Sequence, residues 1–192
     1  MKVIVAIVII VIVGGLLGLG VISSGLPDIS AANEHNKLTL WVLNETMERS
    51  VKRHAKDITA PSLNDQVMIQ KGFGHYDAMC ATCHGAPGVS RSEIGRGLYP
   101  RPPSLAAVLD EWTPEQLFWI TKNGVKLTGM PAFGKTHTDD ELWAIIAFVE
   151  KLPDIEPDDY LAMRAPKMAS QPADTTKMSS PEQREHRDNH RH

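Results

Sequence analysis

The sequence MCATCHGAPG at residues 79–88 contains the only two cysteines of the chain, Cys80 and Cys83, followed directly by His84. This C-x-x-C-H spacing is typical of covalent haem attachment, in which two thiols add to the porphyrin vinyl groups and the adjacent imidazole reaches the iron. A disulfide closing so short a loop would constrain the unfolded chain very little. A tetrahedral zinc site would need further ligands, and a thioredoxin-like dithiol would need strands around it. The motif therefore predicts one haem c.

A second axial ligand decides whether such an iron atom carries electrons or binds exogenous molecules. Met130 is the candidate, in the sequence LTGMPAFGK at residues 127–135. Gly129 is expected to permit an unusual backbone conformation, and Pro131 to stiffen the loop. Met130 lies 46 residues after His84, which is enough chain to pass around a ring edge. His75 and His137 are the competing ligands.

Residues 62–160 have the helical periodicity and connectors of one compact domain. No stretch alternates with a period of two for long enough to predict a sheet, so the fold class is all-α. Three helices are expected, with N-caps at Asn64, Thr113 and Thr138. They cover residues 65–78, 114–122 and 139–152, and the last begins with a capping box formed by Thr138 and Glu141.

Residues 62–153 resemble a class I cytochrome c domain of the small bacterial type associated with haem-copper oxidases and membrane dehydrogenases. The resemblance is carried by Cys80, Cys83 and His84, by the Gly-Met-Pro sequence at 129–131, and by the closing helix DDELWAIIAFVEKL. It implies an all-α fold around one covalent haem c, with His84 and Met130 on the iron. It also implies two crossed terminal helices, for which the contact residues here are Gly72, Tyr76 and Trp143.

Residues 1–25 are predicted to form a transmembrane anchor. The run from Val3 to Ile22 contains 20 residues without a charge, which spans a hydrocarbon core of roughly 30 Å as a helix. A cleaved signal peptide is the alternative, with Ser30 to Ala32 as the cleavage site. Residues 26–61 are predicted to form a linker and an amphipathic helix. That helix either packs on its own domain or rests on a partner subunit or the lipid interface.

The C-terminal residues 161–192 are polar and contain Pro and Ser throughout, so they are predicted to be a disordered tail. Its three histidines, His186, His190 and His192, are attributed to a solvated tail. The formal net charge of −3 offers no basic excess for nucleic acid. Residues 62–160 carry 14 Asp and Glu against 8 Lys and Arg, so the domain is acidic and favours a partner with a basic docking patch.

Together these patterns predict an electron-transfer protein and no enzyme activity. The expected function is a membrane-anchored monohaem cytochrome c that carries single electrons between membrane-embedded respiratory or dehydrogenase complexes. A single-pass anchor in the cytoplasmic membrane would place the haem domain in the periplasm. The alternatives are a fixed haem relay subunit of a larger complex and a haem peroxidase or ligand sensor, which would require the Met130 side of the iron to open.

Overall fold

The computed structural model describes the backbone of residues 1–170 and the side chains of residues 1–165. The described part of the chain is helical, with one isolated β-bridge between Ala86 and Val89 and no strand. The first helix, α1 (Lys2–Ser23), has no buried residue. It is long and apolar enough to cross a membrane, a test that a secretion signal also passes.

Helix α2 (Lys37–Ala55) is the predicted amphipathic helix. The side chain of its N-cap, Asn36, accepts a hydrogen bond from the Thr39 backbone N–H at 2.9 Å, which satisfies a donor that the helix leaves free. Val51 and Ala55, near its end, are buried. The helix packs on α6 (Pro114–Asn123), so its C-terminal part belongs to the folded domain.

The core is built on the pair α3 (Gln66–His75) and α7 (Asp139–Val149), which make the most extensive contact between elements in the described chain. Every residue of α7 from Leu142 to Val149 is buried, so this helix is apolar on all sides. At the crossing, an ideal Cβ built on Gly72 would lie 1.8 Å from the carbonyl oxygen of Ala144. The glycine therefore allows the two backbones to approach.

The predicted first helix differs from the structure at both ends. Its N-cap is Asp65, whose carboxylate accepts from the Met68 N–H at 2.8 Å, while Asn64 accepts from the Lys151 ammonium at 3.2 Å. The α-helix ends at His75 and continues as a π-helical turn, Tyr76–Cys80, and a short helix, α4 (Ala81–His84). The wider π turn changes which residues face the core just before the cysteines.

The remaining helices lie close to their predicted positions. Helix α6 begins with a capping box formed by Thr113 and Gln116, and α7 with the predicted box of Thr138 and Glu141. The stacked rings of Phe118 and Trp143, 4.1 Å apart, join α6 to α7. The connecting elements are α5 (Glu93–Gly97), α6 (Pro114–Asn123) and the 3₁₀ turns Leu105–Ala107, Leu109–Glu111, Phe133–Lys135 and Leu152–Asp154.

Helix α8 (Pro157–Ser170) corrects the predicted start of the disordered tail at residue 161. Its first turn carries a proline and two acidic residues, which favour a helix N-terminus. Tyr160 anchors it: the side chain is fully buried and its hydroxyl donates to the Asp77 carboxylate at 3.0 Å. One turn later, Arg164 forms an ion pair with Asp77 at 2.8 Å. Residues 171–192, with the three tail histidines, lie outside the described residues.

Candidate functional site

The two cysteines lie where the π turn meets α4. Cys80 is buried and Cys83 is half-buried, and the two are not joined by a disulfide. Burial, with a smaller contribution from the neighbouring Cys83, raises the pKa of the Cys80 thiol to about 12. A buried sulfur whose ionised form is this unfavourable is suited to a neutral thioether, because the thioether carries no charge to desolvate.

His84 ends α4 with one ring nitrogen already engaged. Its Nδ1 lies 2.8 Å from the carbonyl oxygen of Pro103, and since a carbonyl only accepts, Nδ1 carries the proton. Burial lowers the pKa of His84, the hydrogen bond to Pro103 opposes this, and the charge of Arg91 lowers it further. The ring is therefore held as the neutral tautomer whose Nε2 has a free lone pair, which is the form that binds a metal.

The turn after His84 is fixed by backbone geometry and by Tyr76. Gly85 has a φ of +74°, a region that L side chains rarely adopt, and so lets the chain leave the helix. The buried Tyr76 hydroxyl donates to the Gly85 carbonyl at 2.7 Å. Against α5, an ideal Cβ on Gly95 would lie 2.8 Å from the Cys83 Cα. The attachment segment is thus held from two sides.

The loop that carries Met130 is held mainly by its own hydrogen bonds. The Met130 N–H donates to the Thr128 hydroxyl at 3.0 Å, and its carbonyl accepts from the Val125 N–H at 3.2 Å. The positive φ angles of this loop belong to Gly124 and Leu127, not to Gly129 as expected. Gly129 instead packs closely against Leu98: a Cβ there would lie 2.6 Å from the end of the Leu98 side chain, which would have to move. The Met130 side chain is half-buried.

The family model described as cytochrome C oxidase, cbb3-type, subunit III matches residues 67–149. These residues form a class I c-type cytochrome domain. The predicted all-α fold and haem c cofactor are thereby confirmed, since this family binds haem c covalently and the chain contains the cysteines of the C-x-x-C-H type. The cytochrome domain is a haem-binding electron-transfer module. A comparison with curated proteins finds no match for the chain.

The side chains of the cytochrome domain fit this cofactor. The two cysteine thiols are the groups that covalent attachment uses, and the neutral imidazole of His84 is a donor for iron, with the thioether of Met130 as the candidate second donor. An open cavity of about 330 Å³ adjoins His84 and is also lined by Tyr76, Arg91 and Leu152. Its lining includes neither cysteine and does not include Met130, so we do not assign this cavity to the haem.

The two competing histidines lie together in the cytochrome domain. The rings of His75 and His137 are 5.4 Å apart in an edge-to-face arrangement, and Nδ1 of His137 is 2.9 Å from the Thr136 hydroxyl.

The three residues predicted at the helix crossing make different contacts. Gly72 lies where α3 crosses α7, and Tyr76, in the π turn that follows α3, packs on Phe148 of α7. Trp143 of α7 stacks on Phe118 of α6.

Two residues that position the site, Pro103 and Asp77, were not predicted from the sequence. Pro103 acts through its backbone carbonyl, and no side-chain pattern marks such a role. Asp77, three residues before Cys80, binds Tyr160 and Arg164 and so attaches α8 to the π turn. The only sequence signal for it was an acidic residue beside the attachment motif, with its partners more than 80 residues away.

Proposed function

We propose that this chain is a membrane-anchored monohaem cytochrome c that carries single electrons between membrane-embedded redox complexes. Cys80 and Cys83 would hold the haem covalently through thioether bonds. His84, through Nε2, and Met130, through its sulfur, would hold the iron. When bound, haem c supplies an iron atom that gains or loses one electron.

The observation that carries this proposal is the hydrogen bond between His84 Nδ1 and the Pro103 carbonyl. It fixes the tautomer and the ring orientation and leaves Nε2 as the ligand, while hydrogen bonds of the loop orient the backbone of Met130. If His84 and Met130 both hold the iron, no position would be left for a substrate, and the iron would only gain or lose an electron. A thioether ligand and burial both favour ferrous iron and so raise the reduction potential relative to bis-histidine or exposed haem.

The membrane location rests on α1. We propose that it is retained as a single-pass anchor in the cytoplasmic membrane, with the cytochrome domain in the periplasm, because c-type haem is attached on the outer side of the energy-transducing membrane. Lys2 would then remain on the cytoplasmic side, in line with the positive-inside rule. The intact mass of the purified protein tests this proposal, since a cleaved signal would remove α1.

The axial ligand is tested by Met130→Leu, which removes the sulfur and nearly conserves the volume. We expect the variant to lose the sulfur-to-iron charge-transfer band of the ferric protein and to bind cyanide rapidly. Met68→Leu is the matched control, because Met68 is another half-buried methionine that packs on the core. A Met130→Leu spectrum identical to that of the control would contradict the proposed ligation. A wild-type protein that is already high-spin would indicate a peroxidase or ligand sensor.

A fixed relay subunit is the second candidate function, and the match to a family described as subunit III of a cbb3-type oxidase favours it. The two candidate functions differ in which proteins are extracted from the membrane together with this chain. After gentle detergent extraction, a fixed subunit would co-purify with stoichiometric partners, whereas a carrier would be recovered alone. The donor and acceptor would be identified by the same experiment in the first case and by reconstituted electron transfer in the second.

A further inference from the structure

Helix α2 has two ends with opposite environments. Near its C-terminus, Val51 is 1% exposed and Ala55 is 4% exposed, because they pack against the cytochrome domain. Near its N-terminus, Leu38 is 69% exposed, Trp41 61% and Val42 45%. One rigid helix therefore joins a docked end to an apolar end that the described part of the chain leaves uncovered.

The three exposed side chains form one patch, here called the Trp41 patch (Leu38, Trp41 and Val42). Their spacing of three and four residues places them on one face of α2. Farther along this side the surface is charged, with the ion pairs Glu45–Arg49 at 2.6 Å and Glu48–Lys52 at 3.0 Å. The apolar surface is thus confined to the start of the helix, which is the end connected to α1.

The position of the patch in the chain indicates what covers it. Helix α1 ends at Ser23 and α2 begins at Lys37, so the linker comprises residues 24–36. A flexible chain of that length spans about 20 Å, so the patch stays within reach of a bilayer that holds α1. The linker exposes Leu26 and Ile29 as well. Apolar surface therefore continues from the anchor into α2.

The composition of the patch suits the boundary between headgroups and hydrocarbon. Among the large hydrophobic side chains exposed in the described residues, Trp41 is the one aromatic. Tryptophan is enriched at membrane interfaces, where its apolar ring and its N–H group are both accommodated. The ion pairs that follow on the same side of α2 confine the apolar surface to the N-terminal end of the helix, so only that end is suited to enter the interface.

We propose that the Trp41 patch inserts into the interfacial region of the same bilayer that α1 spans. This inference rests on the proposed function, because it requires α1 to be a membrane anchor. Trp41 and Val51 are ten residues apart, or about 15 Å along the helix, so α2 links the lipid surface rigidly to the domain. His54, stacked on Trp119 at 5.4 Å, strengthens the docked end. The cytochrome domain is therefore held in one orientation above the membrane and does not swing freely on the linker.

The test uses spin labels on the haem-loaded full chain, one chain per lipid nanodisc. Both natural cysteines are consumed by the haem, so an introduced cysteine is the single free thiol. Val42→Cys reports on the patch, Val11→Cys on α1, and Val67→Cys is the matched control, since Val67 is a 76% exposed valine on α3. Collision rates are measured with dissolved oxygen, which partitions into lipid, and with a water-soluble nickel chelate.

We expect labels at 11 and 42 to collide mainly with oxygen and the label at 67 mainly with the nickel chelate. If the label at position 42 collides mainly with the nickel chelate, as the label at 67 does, while the label at 11 collides mainly with oxygen, the patch proposal is overturned and the anchor proposal stands. A label at 11 exposed to nickel would overturn both. Low access of label 42 to both reagents would indicate protein contact, which overturns the lipid assignment. Dipolar coupling between labels in nanodiscs loaded with two chains would likewise identify a second copy as the occupant.

Discussion

Replacing Gly72 by alanine tests the packing that brings the two core helices together. A Cβ at this position would lie 1.8 Å from the Ala144 carbonyl oxygen, 2.6 Å from its carbonyl carbon and 3.0 Å from the Phe148 Cβ. Because the nearest atoms belong to the backbone, no rotamer change relieves the clash. To bring the distance between the new Cβ and the Ala144 oxygen from 1.8 Å to at least 3.0 Å, the two helices must separate by about 1.2 Å. This separation would occur in a core packed at close to crystal density.

Overpacking of a core costs about 1–3 kcal/mol, and alanine in a helix returns about 0.5–1 kcal/mol relative to glycine. Because backbone atoms are the obstacle, we expect a cost near the upper end of this range, so Gly72→Ala should lower the free energy of unfolding by about 2 kcal/mol net. For a domain of this size that corresponds to a fall in Tm of about 8–16 °C. Guanidinium unfolding of the haem-loaded full chain in detergent, followed by far-ultraviolet circular dichroism, measures the change.

The matched control is Gly97→Ala at the end of α5, where a Cβ would meet no atom within 4 Å. We expect this exposed substitution to change the free energy of unfolding by less than about 0.5 kcal/mol. The reasoning would be refuted if Gly72→Ala retained its haem and unfolded at the same guanidinium concentration as Gly97→Ala. Equal stability would mean that the helices accommodate a methyl group without separating.

Three further predictions concern α8, acid stability and partner binding. Tyr160→Phe removes a hydrogen bond to the mostly buried Asp77 carboxylate and should lower the free energy of unfolding by about 1–2 kcal/mol. The Tyr99 hydroxyl accepts from an exposed backbone N–H, so Tyr99→Phe should lower the free energy of unfolding by less. Equal losses of stability in the two variants would contradict the role of the buried carboxylate. Hydrogen bonds from the Thr138 backbone and then its hydroxyl lower the pKa of Glu141 from 4.5 in the folded protein. The free energy of unfolding should therefore fall as the pH drops below the pKa that Glu141 has in the unfolded chain and through its lower pKa in the folded protein. Glu141→Gln, which keeps the capping geometry, should flatten that part of a plot of Tm against pH. Electron exchange with a basic partner should slow as ionic strength rises, and rates independent of salt in stopped-flow experiments would count against electrostatic steering.

The helices at Thr113 and Thr138 could be predicted from the sequence because their signals are local. A capping box needs only two side chains three residues apart, and the predicted box of Thr138 and Glu141 forms. Thr113 is an N-cap as predicted, and the structure adds Gln116 as its capping-box partner. The haem attachment motif is local for the same reason, since all its groups lie within five residues. Such patterns need no knowledge of the rest of the fold.

The exact ends of α3 and the role of Gly129 could not be predicted. The N-cap is Asp65, whereas the side chain of Asn64 accepts from Lys151, a residue 87 positions away. Gly129 has an ordinary φ and is constrained by the Leu98 side chain instead. Each depends on a neighbour that is distant in sequence and becomes adjacent only in the folded chain.

The sequence by itself determined the cofactor, the all-α class and the membrane-length apolar helix, because these depend on residue type and spacing along the chain. Tertiary structure decided which atom orients His84, since a backbone carbonyl such as that of Pro103 has no signature in the sequence. It also decided that α8 extends beyond Tyr160, through contacts with Asp77 that offset the entropy of ordering a polar segment. For α2, periodicity predicted an apolar face. Only the tertiary structure showed that the domain buries the helix near its C-terminal end, at Val51 and Ala55.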